Sequence, residues 1–266
     1  RRILRIAPAM VVYATAMLAL GLLQKHVNML LWFRYAGVLL FSDNLLTIAQ
    51  GYSGALPLSS HLWTLSFEFQ FYAIVPVLFA LYGRIGSRYF LTYLAGACIA
   101  ALILRCSAVA AGLSHPFMWV LPFMRPESII AGIALALVGS RISASPGVLV
   151  TGGGVLGLTL VGLPAIGTTS WDIAIYSVAG LASVLILASV LQRGPLQLVL
   201  AARPIAYLGR ISYGLYLYHL AAIVLVQRLA TGLPPLAHMA LSLALTTAVA
   251  AASYAVIETP FLRLKM

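Results

Sequence analysis

A carboxylate lies inside one of the most apolar stretches of this chain. Glu68 occurs in HLWTLSFEFQFYAIVPV, residues 61–77, with Thr64 and Tyr72 one helical turn away on either side. These three side chains share one face if the stretch is a helix. An ionised carboxylate at membrane depth costs at least about 2.5 kcal/mol, so it usually faces a cavity, a partner or a substrate path. We therefore expect Glu68 to orient a hydroxyl acceptor, to accept a proton, or to pair with an arginine such as Arg125.

Two arginines near the start of the chain could bind phosphate. Arg2 and Arg5, in RRILRIAP, lie three residues apart and share a face if a helix begins there. The guanidinium group offers a fixed fork of donors that matches phosphate oxygens. The alternative interpretation is ordinary anchoring of the chain at the membrane surface by positive charge.

Other polar side chains lie at the ends or on the faces of apolar stretches. Arg125 and Glu127 occur in LPFMRPESIIAG, where Pro126 fits a first helical turn. For Arg125, snorkelling to the membrane surface is the alternative. The residues that could support substrate binding are Trp63, Ser66, Tyr72, Glu127, Ser212, Tyr216 and His219. The last three share one helix face, and a packing role is the alternative for the histidine.

The composition places these residues in an integral membrane protein. Hydrophobic residues make up 62% of the chain and charged residues only 8%. Such an apolar surplus can face lipid but not water, so a soluble enzyme is disfavoured. The net charge of +11 does not indicate nucleic-acid binding, because the basic residues are scattered in short loops without a polybasic run. The sequence contains no metal-ligand motif and no phosphate-binding glycine loop.

The apolar stretches predict an all-α, polytopic helical bundle with about eight spans. The predicted spans are 6–23, 63–82, 89–104, 117–138, 148–163, 172–191, 208–227 and 235–257. The stretch 29–41 is also apolar, but it is short, carries Arg34 and precedes the polar segment SDNLLTIAQGYSG. If this stretch does not cross, most basic residues fall on one side of the membrane. The positive-inside rule therefore predicts a re-entrant or interfacial segment here, with both chain ends in the cytoplasm.

Five segments, in this order, resemble acyltransferase family 3, a family of multi-span membrane O-acyltransferases: RRILRIAP, WTLSFEFQFYAIVP, RPESIIAG, ISYGLYLYH and IETPF. The resemblance covers nearly the whole chain and implies one transmembrane acyltransferase domain over residues 1–266. It implies about ten spans in a bacterial inner membrane and an acyl-CoA donor, such as acetyl-CoA, engaged from the cytoplasmic side. The acyl group would be transferred to a hydroxyl of a glycan such as lipopolysaccharide, of a lipid or of an antibiotic. The resemblance assigns Arg2 and Arg5 to the donor, and Glu68 and Arg125 to catalysis in the membrane.

The family resemblance also implies a catalytic residue that is not in this chain. Family members carry their proposed catalytic histidine on the first span, upstream of the paired arginines, whereas this chain begins at those arginines. We therefore expect two spans and the general base to precede Arg1, and the chain as given to be inactive. None of its five histidines takes that role in this interpretation.

The expected partners are acyl-CoA, a glycan or lipid-linked acceptor and the bilayer. We expect no permanently bound cofactor, no metal and no nucleic acid. Two alternatives remain: a transporter or flippase, in which the buried charges line a permeation route, and a purely structural membrane subunit. Acyl-CoA-dependent modification of an acceptor distinguishes the acyltransferase from both.

Overall fold

Every regular element in the described part of the chain is a helix. The computed structural model describes residues 2–25, 28–52, 54–113, 116–139, 142, 145–161, 171–192 and 194–264. No strand occurs in these ranges, which confirms the predicted all-α class. A helix satisfies its backbone hydrogen bonds internally, as a segment surrounded by lipid requires.

The helices and two irregular turns follow one another along the chain. The bounds are α1 (Arg2–Leu23), α2 (Met29–Leu39), α3 (Asp43–Gln50), α4 (Trp63–Ala110), α5 (Phe117–Val120), α6 (Glu127–Val138), α7 (Pro146–Val161), α8 (Trp171–Val190), α9 (Pro195–Ala201), α10 (Arg203–Leu229), α11 (Pro235–Ser253) and α12 (Thr259–Arg263). A 3-10 turn, Pro122–Met124, precedes α6, and a π-helical turn, Tyr254–Glu258, joins α11 to α12.

Five of the described helices are long and apolar enough to cross a bilayer. They are Arg2–Leu23, Trp63–Ala110, Ile173–Val190, Arg203–Leu229 and Pro235–Arg263. The first extends about 33 Å at about 1.5 Å per residue, close to the hydrocarbon thickness of about 30 Å. By the same measure the 11 residues of α2 reach only about 16 Å. The count of eight crossings and the re-entrant segment at 29–41 both stay predictions.

Helix α4 contains two of the predicted spans, 63–82 and 89–104. It has 48 residues, and its backbone is non-helical at Gly86, with φ 75° and ψ 169°. A positive φ is easily adopted by glycine but strains other residues. A straight helix of this length would reach about 72 Å, more than twice the thickness of a bilayer. Gly86 therefore divides α4 into two parts that correspond to the two predicted spans.

The predicted span over 117–138 is not one helix, which corrects the sequence-based expectation. It consists of the four residues of α5, a 3-10 turn and the 12 residues of α6. Pro122 and Pro126 explain the break, because proline lacks an N–H group and disfavours helical backbone at the preceding residue. Arg125 lies in this break with φ −146° and ψ 60°. Pro126 immediately precedes α6, close to its predicted position in the first turn.

The chain divides into two compact units, so the single domain over 1–266 stays a prediction. Unit 1 comprises Arg1–Ser66 and Arg203–Met266, and unit 2 comprises Phe67–Ala202. In unit 1, a Cβ atom at Gly214 would lie 3.0 Å from the Cβ of Ala250, so α10 and α11 pack closely. In unit 2, a Cβ at Gly153 would lie 2.9 Å from the Ala182 carbonyl oxygen, so α7 and α8 do the same. Small residues at such contacts are typical of helices packed in membranes.

A buried ion pair holds the polar segment after α2 in unit 1. Arg34 and Asp43 are both 0% exposed, and Nε of the arginine lies 2.5 Å from Oδ1 of the aspartate. The guanidinium group also donates to Thr47 Oγ1 at 2.8 Å and to the Gly51 carbonyl at 3.1 Å. The Asp43 backbone N–H donates to Ser66 Oγ at 3.1 Å. The predicted supporting residue Ser66 therefore satisfies a backbone group at the start of α3.

We expect Gly54→Ala to destabilise the protein through this ion pair. A Cβ atom at Gly54 would lie 2.6 Å from Arg34 Nη1 and 2.8 Å from Cζ. The guanidinium group cannot move away without loosening its bonds to Asp43 and Thr47, so we expect a loss of about 1–3 kcal/mol in the free energy of unfolding. Denaturant unfolding in detergent micelles, followed by circular dichroism, measures it. Gly132→Ala is the control, because a Cβ there meets nothing within 4 Å. Equal unfolding free energies for the Gly54 variant and the parent would contradict the prediction.

Candidate functional site

Hydroxyl groups from α4 and α10 converge on one backbone carbonyl in unit 1. The Tyr216 hydroxyl donates to the carbonyl oxygen of His61 at 2.5 Å, and Thr64 Oγ1 donates to the same oxygen at 3.0 Å. The two hydroxyls also contact each other. His61 precedes the first residue of α4, so its carbonyl lies where the helix begins. The contact fixes Tyr216, a predicted site residue, against the start of α4.

Two imidazole rings meet beside these hydroxyls. The ring centroids of His61 and His219 are 4.9 Å apart with an interplanar angle of 71°. Nε2 of His61 lies 3.1 Å from the Leu217 carbonyl oxygen, and Nδ1 of His219 lies 2.6 Å from the Tyr216 carbonyl oxygen. A carbonyl oxygen can only accept, so we assign the ring hydrogens to these two nitrogens. The neutral ring of His61 then has its other nitrogen, Nδ1, as an acceptor.

The environment of His61 favours the neutral imidazole. Burial, with a smaller contribution from the nearby His219, lowers the pKa of His61 to about 4. Its Nδ1 has no hydrogen-bond partner among the described residues. Near pH 7 this buried nitrogen is therefore an uncharged acceptor.

Tyrosines complete this group of side chains. Tyr13 of α1 packs edge-on against His61, with ring centroids 5.9 Å apart, and donates to the Leu58 carbonyl at 2.7 Å. The ring of Tyr218 packs edge-on against that of Tyr13, and the Tyr218 hydroxyl oxygen lies 2.9 Å from Ser253 Oγ. We call the set Tyr13, His61, Thr64, Tyr216 and His219 the histidine cluster. The sequence predictions included Tyr216 and His219 in the site and left out Tyr13, which lies among mostly apolar residues of α1, beyond the turns that carry Arg2 and Arg5.

Two other predicted supporting residues of unit 1, Trp63 and Ser212, are not members of the histidine cluster. Trp63 is buried, and its ring centroid lies 6.1 Å from that of Tyr52. Ser212 is exposed and makes no hydrogen bond to the cluster. The predicted common helix face thus brings only Tyr216 and His219 into the histidine cluster, and not Ser212.

The paired arginines lie at the start of α1, as the sequence predicted. Because α1 begins at Arg2, Arg2 and Arg5 are one turn apart on a helix, the first exposed and the second half-buried. Nη2 of Arg5 lies 3.5 Å from the Arg210 carbonyl oxygen. The Tyr213 hydroxyl donates to the Ile6 carbonyl at 2.7 Å, which fixes α1 beside α10. This end of unit 1 therefore presents guanidinium groups from both helices.

A buried carboxylate accompanies these arginines. Glu258 lies in the π-helical turn after α11 and is 0% exposed. Neither of its carboxylate oxygens has a hydrogen-bond partner among the described residues, and Arg5 is near enough to interact with it electrostatically. π-Helical turns occur often at functional sites. In the sequence, Glu258 stands just before Thr259-Pro260, a pattern typical of a helix terminus, and nothing there indicates that this charge is buried.

In unit 2, Arg125 is surrounded by aromatic rings. Its Cζ lies 4.3 Å from the ring centroid of Phe67, 5.1 Å from that of Trp119 and 5.7 Å from that of Tyr176. Such cation–π contacts hold a guanidinium group where water is scarce, at about 0.5–2 kcal/mol each. The helix break at Pro122–Pro126 positions the residue for these contacts, so Arg125 has a defined and half-buried location.

Glu127 belongs to a hydrogen-bond network around Arg105. Arg105 is 0% exposed, forms an ion pair with Glu127, and donates to the Met124 carbonyl. It also donates to Ser177 Oγ at 3.3 Å and to the Ile173 carbonyl at 3.1 Å. Ser177 in turn donates to Glu127 at 3.1 Å. The network joins α4, the turn before α6, and α8, and it fixes the backbone on both sides of the break that carries Arg125.

Glu68, the central candidate in the sequence, accepts a hydrogen bond from the hydroxyl of Tyr72, one turn later in α4. Both residues are half-buried. The pairing of Glu68 with Arg125 that the sequence suggested stays a prediction; buried ion pairs in the described residues include Arg34–Asp43 and Arg105–Glu127. The predicted stripe thus places Glu68 against Tyr72, while Thr64 belongs to the histidine cluster. No group of three or more histidine, cysteine, aspartate or glutamate side chains in the described ranges is arranged to hold a metal ion.

Comparison with known proteins gives one match. A family model described as an acyltransferase domain, that of acyltransferase family 3, matches residues 1–255. Searches of curated proteins and of solved structures found no match.

Proposed function

Because the chain belongs to acyltransferase family 3, whose model matches residues 1–255, we propose that this membrane acyltransferase transfers an acyl group from acyl-CoA to a hydroxyl of a cell-surface or secreted glycan. The family match is the observation that carries the proposal. Acetyl-CoA is the simplest donor. The proposed location is a bacterial inner membrane with both chain ends in the cytoplasm, which the distribution of basic residues in the sequence supports.

Arg2 and Arg5 bind the phosphates of the donor in this proposal. Both lie in the first turns of α1, and the exposed position of Arg2 leaves it accessible from solution. Two guanidinium groups one turn apart can each offer paired N–H donors to phosphate oxygens. The half-buried Arg5, close to the carboxylate of Glu258, is the more constrained of the two.

The proposed chemistry is nucleophilic attack by the acceptor hydroxyl on the thioester. The hydroxyl oxygen bonds to the carbonyl carbon, the C–S bond breaks, and the hydroxyl proton passes through a general base to the thiolate of CoA. A histidine is the general base that the family resemblance implies. Glu68 orients the acceptor hydroxyl, and Arg125 supplies positive charge for the oxyanion that develops on the carbonyl.

The histidine cluster is suited to bind a neutral, polyhydroxylated acceptor. The Tyr216 and Thr64 hydroxyls already donate to the His61 carbonyl, so they offer acceptor oxygens, and the neutral His61 offers Nδ1 as a further acceptor. A sugar hydroxyl can donate to such acceptors, whereas an anionic substrate would need cations. This composition supports a glycan acceptor over an anionic one.

We expect the double substitution Arg2→Ala and Arg5→Ala to abolish acyl transfer. Losing both phosphate contacts removes charge-assisted hydrogen bonds of about 1.5–3 kcal/mol each, which together correspond to about a hundredfold or more in activity at limiting donor. The measurement is transfer of label from radiolabelled acetyl-CoA to envelope glycans, in membranes that contain the complete gene product at equal protein level.

The matched control removes two other exposed arginines. Arg84→Ala with Arg88→Ala makes the same change in charge on α4 and should retain the label. Loss of transfer in both double variants would show that the effect is one of charge alone. An absence of label with acetyl-CoA calls for longer acyl donors, and failure with those as well would favour transport over acyl transfer.

A further inference from the structure

The exposed first part of α10 presents two arginines and a tyrosine on one face. Arg203, Tyr207 and Arg210 stand at positions i, i+4 and i+7, which coincide within one stripe of a helix. All three are exposed, and Cζ of Arg210 lies 5.5 Å from the Tyr207 ring centroid. We call these three residues the arginine face.

Carboxylates do not neutralise the arginine face. Helix α10 contains no aspartate or glutamate. In unit 1 the described acidic residues are Asp43, which pairs with Arg34, and Glu258, which is buried. Exposed like charges repel one another unless an anion binds among them, so this face has an electrostatic preference for an anionic ligand.

The arginine face continues the proposed donor site. The guanidinium group of Arg5 points to the carbonyl of Arg210, at 3.5 Å, and Tyr213 bonds the backbone of α1 at Ile6. Arg5 of the paired arginines on α1 therefore lies beside the last residue of the face on α10.

We propose that Arg203, Tyr207 and Arg210 bind the 3′-phosphorylated adenosine end of the CoA donor. Aromatic rings stack on nucleobases, and arginines bind phosphates with paired donors. The two arginines are about 10 Å apart along the helix, so the face suits phosphate groups separated by a nucleoside better than one compact phosphate. The inference rests on the proposed acyl-CoA function and adds to it the residues that recognise the nucleotide.

The experiment is a comparison of CoA with dephospho-CoA, which lacks the 3′-phosphate. Their dissociation constants are measured by isothermal titration of the purified complete gene product in detergent, for the parent, for Arg203→Ala with Arg210→Ala, and for Tyr207→Leu. We expect the arginine variant to weaken CoA binding by about tenfold or more and to lose the preference for CoA over dephospho-CoA. The tyrosine variant should weaken both ligands to a similar extent, because it loses stacking on the base.

Two controls make the outcome specific. Arg228→Ala removes an exposed arginine at the other end of α10 and should bind CoA like the parent. Arg210→Lys keeps the charge, so a weakened affinity in that variant supports the paired-donor geometry. If the parent binds CoA and the arginine variant binds it equally well, the inference is overturned and the proposed function stands. If the parent binds no CoA, the acyl-CoA function itself fails.

A membrane lipid is the other source of phosphate that this face could meet. Binding of the parent and the arginine variant to vesicles with and without phosphatidylglycerol distinguishes lipid headgroups from CoA as the ligand of this face. A variant that loses binding to the anionic vesicles while its affinity for CoA is unchanged would assign the face to lipid headgroups and overturn the proposal. Unchanged vesicle binding with weakened CoA binding supports it.

Discussion

Replacing Glu127 by alanine should lower the free energy of unfolding by about 3–5 kcal/mol, because it leaves the guanidinium group of Arg105 buried without its countercharge. Arg105 is 0% exposed and Glu127 is 7% exposed. The remaining partners of the arginine are uncharged, namely two carbonyl oxygens and the Ser177 hydroxyl. Denaturant unfolding in detergent micelles, followed by far-UV circular dichroism, measures the change.

The double variant Arg105→Met with Glu127→Leu tests the cause of that loss. Removing both charges relieves the desolvation cost, so this variant should be more stable than Glu127→Ala alone. The single variant Arg105→Met gives the reference for additivity. If the loss in unfolding free energy of the double variant equals the sum of the losses of the two single variants, the two residues are not coupled. That result would contradict the ion pair as the source of the effect.

Glu68→Gln should reduce acyl transfer by about 10²–10⁴-fold in the complete gene product, the range typical for loss of a group that exchanges or orients a proton. Glutamine has nearly the same shape and keeps an oxygen that can accept from the Tyr72 hydroxyl. The substitution therefore removes the charge and preserves the local contact. Transfer of radiolabelled acetyl groups at equal protein level gives the result.

Tyr72→Phe is the matched control for the glutamate. It removes the hydrogen bond and keeps the carboxylate, so we expect a loss of no more than about tenfold. Full activity in Glu68→Gln would exclude Glu68 from the mechanism. Equal losses in both variants would show that the glutamate acts only through its contact with the tyrosine.

The sequence was sufficient to predict the class of the fold and the start of most long helices. Runs of apolar residues long enough to cross a bilayer correspond to α1, α8, α10 and the helix from residue 235. The two spans on either side of Gly86 were also separated correctly, since GRIGSR interrupts the apolar pattern. Such predictions succeed because hydrophobic length is a local property of the chain.

The break at residues 122–126 was less predictable. Two prolines four residues apart signalled an irregular backbone, but hydropathy alone continued through them and favoured one span. The side-chain networks were harder still. Arg105 and Ser177 are 72 residues apart, and nothing in the sequence around Arg105 indicates that its partners lie in α6 and α8. Long-range pairing depends on how helices pack, which a single sequence does not reveal.

The same contrast between local patterns and long-range contacts holds for the site residues. Arg2 and Arg5 were predictable because their spacing matches one turn of a helix, and Tyr216 with His219 for the same reason. The contribution of His61 depends on its contact with His219 at 4.9 Å, across 158 positions of the chain. Glu258 had only one neighbouring signal, the Thr-Pro pair that follows it.

The two buried ion pairs differ in when a growing chain can complete them. Arg34 and Asp43 are nine residues apart, so at about 5–20 residues per second the ribosome delivers the second partner about a second after the first. Arg105 meets Glu127 only 22 residues later, and Ser177 after 72. The first pair can be closed while the translocon still holds the early helices, whereas Arg105 lacks its countercharge until α6 has begun and its uncharged partners Ile173 and Ser177 until α8 has been made. Nascent chains that stall before residue 127 therefore carry an unmatched cation, which membrane quality-control proteases can recognise.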